Sequence, residues 1–170
     1  MGMNLYVKPQ NDAVLERLFG APAGTLKQIR ALRNEKYDAS SKLDYRTDEE
    51  GFERLDAWYH NAIKTIHPNA AALDSFDDNG LGRVNADHSQ LATIGTAHGC
   101  IEVGGCGSTS TTDGMLAVLA LQRSKYEDFT GYYIGFTEES LAQRALEHKR
   151  LCDKLMLAAA DGRISEIYWA

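Results

Sequence analysis

Between Thr47 and Pro68 the chain reads TDEEGFERLDAWYHNAIKTIHP, the stretch that most narrowly limits how it can fold. Phe52, Leu55, Tyr59, Ile63 and Ile66 recur at steps of three and four residues, which gathers them on one stripe of an α-helix. Thr47 and Glu50 have the spacing of a capping box, in which the threonine caps the helix and the glutamate reaches back to its amide. Asp48 and Glu49 place negative charge where the helix dipole favours it. Pro68 stops the helix after His67, because its ring blocks helical continuation.

The flanking segments predict a mixed α/β or α+β domain around this helix. Met3–Lys8 alternates apolar and polar and reads as a first strand. Asn11 or Asp12 is positioned to cap a short helix carrying Val14, Leu15, Leu18 and Phe19. Thr25 is positioned to cap a second, with Leu26, Ile29 and Leu32 on one face. Residues 37–47, YDASSKLDYRT, read as a polar connection, and residues 69–90, rich in Asp, Asn and Gly, as irregular. LATI (91–94) and CIEV (100–103) read as short strands, paired through GTAHG or joined at a bulge. GMLAVLALQ (114–122) is apolar nearly all round, the mark of a buried helix. TGYYIGF (130–136) reads as a strand. Thr137 then caps a long amphipathic helix to about Ala160, with Leu141, Ala145, Cys152, Leu155 and Ala159 near one face; Gly162 ends it and RISEIYW closes the chain as a strand. No repeat or linker interrupts this order. The expectation is a single compact domain over residues 1–170, with a modest mixed sheet and about five helices.

Composition bounds the function classes. The chain has 170 residues, enough to bury a core without staples. Its hydrophobic fraction of 44% and charged fraction of 25% are those of an ordinary soluble protein. No apolar run reaches the roughly 18 residues that a membrane span needs. The opening MGMNLYVKPQ lacks a secretory pattern, and Tyr6 stands where a myristoylation motif wants Ser or Thr, so a cytoplasmic location is expected. Three cysteines without a CxxC pair fit free thiols in a reducing compartment. The net charge of −6 disfavours nucleic acid as a partner, because a phosphate ladder needs a basic patch. The charge is uneven: residues 1–45 carry seven basic and five acidic side chains, residues 46–90 four and nine. A partner with a basic surface would meet that second segment.

HGCIEVGGCGSTSTTDG, His98 to Gly114, is the other stretch that invites a chemical reading. Glycine-freed amides before a helix start can seat an anion, which makes Gly104, Gly105, Gly107, Ser108 and Thr109 candidate ligand-binding residues. Specific motifs fail. A Walker loop needs Gly-Lys-Ser/Thr, and no lysine lies between Lys64 and Lys125. A dinucleotide fingerprint starting at Gly105 lacks its third glycine at Ser110. A methyltransferase loop would want glycine where Cys106 stands. Cys106, Ser108 and His98 are the candidate catalytic residues, since a thiolate at a helix start or a hydroxyl near a histidine is a usable nucleophile. A phosphatase loop built on Cys106 would require arginine at Thr112, and the Ser108–Ser110 triplet lacks the late Glu-x-Glu of ADP-ribosyltransferases. Each constellation is incomplete.

The remaining metal readings are thin. DSFDDNG (74–80) resembles part of a calcium loop, but Ser75 falls at the first ligand position and Ala86 where the bidentate glutamate belongs. A turn is the better expectation, with a loose cation site at Asp74–Asp78 as the alternative. His60, His67, His88, His98 and His148 show no metal-ligand spacing. No metal and no cofactor are expected. Cys152, on the apolar stripe of the last helix, reads as core.

The MGM opening, the RLDAWYHNAIKTIH helix and the ending LCDKLMLAAADGRISEIYW resemble the YfbM-like family of small bacterial α/β proteins. That resemblance implies a compact cytosolic fold and carries over no catalytic residue. The leading functional expectation is a protein-binding regulatory, inhibitory or immunity-type protein that recognises a basic partner through its acidic surface. The alternative is a small enzyme or ligand-binding protein holding an anionic or nucleotide ligand in the loop 104–113.

Overall fold

Amphipathic stripes, breakers and long-range partners together set the elements of the computed structural model, which describes residues 3–82, 84, 88–98, 102–103, 105–125 and 137–170. The fold belongs to the mixed α–β class. Among the described residues there are seven helices, not about five, and four strands. Two compact units make up the chain, Asn11–Asp78 and Met1–Gln10 with Asn79–Ala170.

The first of these units is helical: α1 (Asp12–Leu18), α2 (Thr25–Ser40), α3 (Glu49–Ile66) and α4 (Ala70–Asn79). Its core holds Val14, Leu15, Leu26, Ile29, Tyr59, Ile63, Ala70, Leu73 and Phe76. Helix α3 follows the predicted stripe, with Tyr59 and Ile63 buried at its centre. It ends where expected, because His67 is forced extended (φ −166°, ψ 149°) ahead of Pro68.

The caps differ from the sequence reading. The Thr47–Glu50 capping box does not form: Asp48 precedes the helix as its cap and its side chain makes no capping bond. Its carboxylate is drawn instead to the amide of Asp44 at 2.9 Å. Thr25 is the first residue of α2 and not its cap. Gly24 holds the cap position in a left-handed conformation (φ 89°). Glu16, buried on α1, accepts the Thr25 amide at 3.0 Å and supplies the charge that Gly24 lacks. Tyr37–Ser40, expected in a connection, continue α2 by one more turn.

The second unit is a sheet with helices α5 (His88–Ala97), α6 (Thr112–Lys125) and α7 (Glu138–Ala160). Strands β1 (Leu5–Pro9), β2 (Glu102–Val103), β3 (Cys106–Thr109) and β4 (Ile164–Trp169) lie in the order β1–β4–β3–β2. Among the described residues every pairing is antiparallel, where the sequence suggested a mixed sheet. LATI, expected as a strand, is helical within α5, and the hairpin forms instead between β2 and β3, with Val103 opposite Cys106. The expected strand at 130–136 lies outside the described residues.

Side chains alternate along β1 as the pleat requires, while an irregularity in the β1–β4 register lets both Ile164 and Ile167 face the core. Leu5, Val7, Thr109, Ile164, Ile167 and Trp169 are buried, together with Met115, Val118 and Leu119 of α6 and Cys152, Leu155 and Ala159 of α7. Helix α7 is capped by Thr137, whose hydroxyl accepts the Ser140 amide at 3.2 Å, and Gly162 (φ +72°) ends it through Asp161 as expected.

From Asn79 to Gly82 a tight turn runs along the edge of β1. Gly80 adopts φ +63°, and a β-carbon there would collide with the Leu5 carbonyl oxygen. That oxygen accepts the Leu81 amide at 2.7 Å, and the Leu5 amide donates to Gly82 at 2.8 Å. Gly80→Ala should therefore cost about 2 kcal/mol or more, the sum of left-handed strain and overlap with rigid backbone. Gly24→Ala, at φ +89° with nothing within 4 Å, carries only the strain. Urea unfolding of the two variants would check this order, and equal midpoints would refute it.

Candidate functional site

Within the glycine-rich stretch, the described residues Glu102–Val103 and Cys106–Thr109 form paired strands. Gly105 takes the left-handed conformation (φ +90°) that turns β2 into β3. Gly107 sits directly opposite Trp169. A β-carbon on it would lie 2.5 Å from Cζ2 and 3.0 Å from Nε1 of the indole, so Trp169 packs directly against Gly107. Gly104 lies outside the described residues, as does Cys100.

The candidates separate by face. Thr109 is buried, its hydroxyl has no hydrogen-bond partner among the described residues, and it lies against Gly114 in the first turn of α6. Around the same point a Gly114 β-carbon would meet Thr111 Oγ1 at 2.8 Å and His98 Cβ at 2.9 Å. The structure thus gathers His98, Thr109 and Thr111. Cys106 and Ser108, at alternate positions of β3, point to the other face. Ser108 is half-buried opposite Tyr168, whose ring stacks on Tyr6 at 5.0 Å, and Cys106 is exposed. Thr111 Oγ1 accepts the Gly114 amide at 3.1 Å and its carbonyl accepts the Met115 amide at 2.9 Å, so this hydroxyl is engaged in capping α6. Cys152 is buried in the core, where burial pushes its thiol up to about 12.

Asp74–Asp78 lie in α4, and the expected turn is corrected. Their carboxylates face two arginines of α2. Arg30 grips Asp77 through Nη2 at 2.6 Å and Nε at 3.1 Å, and reaches Asp12 at 2.8 Å. Arg33 bonds Asp74 at 2.5 Å and Asp77 at 3.0 Å. Tyr59 of α3 donates its hydroxyl to Asp74 at 2.8 Å. The oxygens a cation would need are thus engaged by guanidinium groups, and no cluster of three His, Cys, Asp or Glu suited to a metal occurs among the described residues.

Burial alone would raise the Asp77 pKa, but the hydrogen bonds from Arg30 and Arg33 outweigh it and hold the carboxyl below its usual range. Burial and the bond to Asp74 push the Tyr59 phenol up to about 12, against the opposing pull of Arg33. The folded state therefore holds this proton more tightly than the unfolded chain. Its stabilising contribution is full below pH 10 and is lost as pH rises from about 10 to about 12. The difference in phenolate absorbance between the wild type and Tyr59→Phe should show one tyrosine titrating near 12; titration near 10 would disprove the arrangement.

With Asp74 and Asp77 engaged inside the helical unit and Asp56 paired with Lys36 at 2.6 Å, the acidic segment has a smaller free surface than its composition implies. Exposed carboxylates at the turn between α2 and α3 and in the first turns of α3 are Asp44, Asp48, Glu49, Glu50 and Glu53; Asp56 and Asp78 are exposed too, but Asp56 is paired with Lys36 and Asp78 lies 4.0 Å from Arg33. Glu50 meets Arg54 at 3.5 Å, whereas Glu49 and Glu53 have no ion pair among the described residues. Tyr45 stands in this turn with 89% of its surface exposed. Sequence reasoning passed over it as part of a polar connection; a lone aromatic among turn-forming residues was the available signal.

Comparison with family models, characterised proteins and solved structures returned no match for this chain. Among the described residues, no helix is long and apolar enough to cross a membrane.

Proposed function

We propose that this is a protein-recognition module that binds a basic partner through the acidic surface at the α2–α3 turn. The observation that carries this reading is the sorting of the carboxylates. Asp56, Asp74 and Asp77 pair with lysine or arginine of α2, while Asp48, Glu49 and Glu53, at the start of α3, are exposed with no ion pair among the described residues. Unpaired like charges repel one another, and a cationic surface relieves that repulsion and steers encounter.

The anion-seat reading of residues 104–113 has less support. Gly107, Ser108 and Thr109 lie in a paired strand, and Asp113 sets a negative charge in the first turn of α6. The test is calorimetric titration with a cationic protein, cytochrome c, at low and at physiological ionic strength. Binding should weaken with salt and fall at least tenfold in a D48N/E49Q/E53Q variant, as expected when several exposed ion pairs of about 0.5 kcal/mol each are lost with their long-range field. Equal affinity of the wild type and the variant would sink the proposal.

A further inference from the structure

We infer that a second copy of this chain docks on the outward face of α7, antiparallel to the first, so that the two helices pair about a two-fold axis level with Leu151 and Cys152. The inner face of α7 is spent on the core through Ala145, Cys152, Leu155, Ala158 and Ala159. On its outer face stand two large apolar side chains, Leu146 and Leu157, 43% and 66% exposed. Eleven residues separate them, close to three whole turns, so they project in nearly the same direction roughly 16 Å apart. Arg150 and Asp153 lie between them on the same stripe, with Glu147 and Lys154 along one flank, and all four are exposed. Exposed leucines scattered singly are ordinary, so the two alone say little. The order of the charges between them names the occupant.

Setting Leu146 against Leu157 of an antiparallel second copy fixes the register of everything else. Arg150 then stands opposite Asp153 of the second copy, and Glu147 lies on the same flank as Lys154 of the second copy. Ala142 and Ala160, both exposed, face each other near the ends, where small side chains let the backbones approach. Two-fold symmetry makes every one of these contacts occur twice. Arg150 and Lys154 have no ion pair among the described residues. Asp153 already accepts Arg123 at 2.9 Å, and its carboxylate keeps acceptor positions for a second guanidinium. Glu147 accepts the Gln143 amide at 2.8 Å on the same terms. A parallel copy would instead set Arg150 beside Arg150 and Asp153 beside Asp153, and would align the helix dipoles. A uniformly acidic or basic partner would satisfy only half of the alternating charges. One helix face sits at the low end of specific interfaces, roughly 1,200 Å² in all, so the dimer forms and dissociates with concentration.

The experiment is sedimentation equilibrium of the whole chain from micromolar to millimolar concentration, at low and at physiological salt. The wild type should show a monomer–dimer equilibrium that weakens as salt screens the ion pairs. Leu157→Asp should be monomeric throughout, with the thermal midpoint of the dilute protein unchanged because the side chain lies outside the core. Lys154→Glu should weaken the dimer about tenfold, since two ion pairs become two repulsions. Glu147→Lys combined with Lys154→Glu should restore it, because the exchange rebuilds the same pair across the two-fold axis. A wild type that stays monomeric at every concentration overturns the proposal. So does a dimer that survives Leu157→Asp, or a charge exchange that dimerises no better than Lys154→Glu alone.

Discussion

Arg33→Met should destabilise the protein by roughly 3 kcal/mol, because it strips a guanidinium from two carboxylates that are themselves largely out of water. The Arg33, Asp74 and Asp77 side chains are only 16%, 19% and 10% exposed. Arg33 also donates to the Asp74 carbonyl at 3.2 Å, so it ties backbone as well as side chains. Arg30→Met should cost clearly less, near 1 kcal/mol, since Arg30 is 42% exposed and water can replace part of what is lost. Arg33→Lys should not restore stability, because an ammonium cannot span two carboxylates and a carbonyl with the planar spread of a guanidinium.

The pH dependence has a definite sign. Asp77 is held below its ordinary pKa in the folded state, so its contribution is present above the unfolded value of about 3.8 and is lost as pH falls below it. In Arg33→Met that acid-induced loss should shrink, because less of the depression remains. Urea midpoints measured from neutral pH down to the acid limb would show both effects. An Arg33→Met variant as stable as wild type would mean that the network is ornamental and that the carboxylates of α4 are free after all.

The same network explains why part of the fold was hidden in the sequence. Residues 69–90 look irregular when read alone, since Asp, Asn and Gly favour turns and caps. Helix α4 forms over the first half of that segment because Leu73 and Phe76 bury one face. Its carboxylates, meanwhile, meet Arg30 and Arg33, more than forty residues earlier in sequence. No local pattern carries that partnership. LATI in α5 failed for a related reason: four residues are too few for a period, and β-branched Thr93 and Ile94 bias the reading towards a strand. By contrast α3, α7 and the first and last strands were legible because their apolar positions repeat over several turns, alternate as in β1, or cluster between a helix-ending glycine and the end of the sequence as in β4. Of the candidate sites, the acidic segment was visible in composition, but which carboxylates remain free depends on tertiary pairing. Tyr45 was legible only as a residue type, because exposure is a property of the folded turn.

Gly107→Val should be the most damaging change in the sheet-bearing unit, at roughly 3 kcal/mol, and it separates a structural glycine from a ligand-binding one. The Trp169 indole occupies the space where the side chain would grow, with three ring atoms within 3.0 Å of the first added carbon. Trp169 is 1% exposed and lies in β4, which pairs with both β1 and β3, so it cannot swing aside without opening the sheet. A large ring laid over a glycine directly across the ladder is a recognised way of shielding backbone that glycine leaves bare. Trp58 is 41% exposed, so in a Trp58→Phe background the fluorescence of Trp169 alone reports on the seat. Its emission should shift to the red in Gly107→Val, with a lower urea midpoint. Gly107→Val combined with Trp169→Leu should lose less than the sum of the single changes, because the smaller side chain vacates the contested space. If Gly107→Val instead left stability and emission unchanged, the glycine would not be needed for packing, and the case for β3 as a ligand seat would reopen.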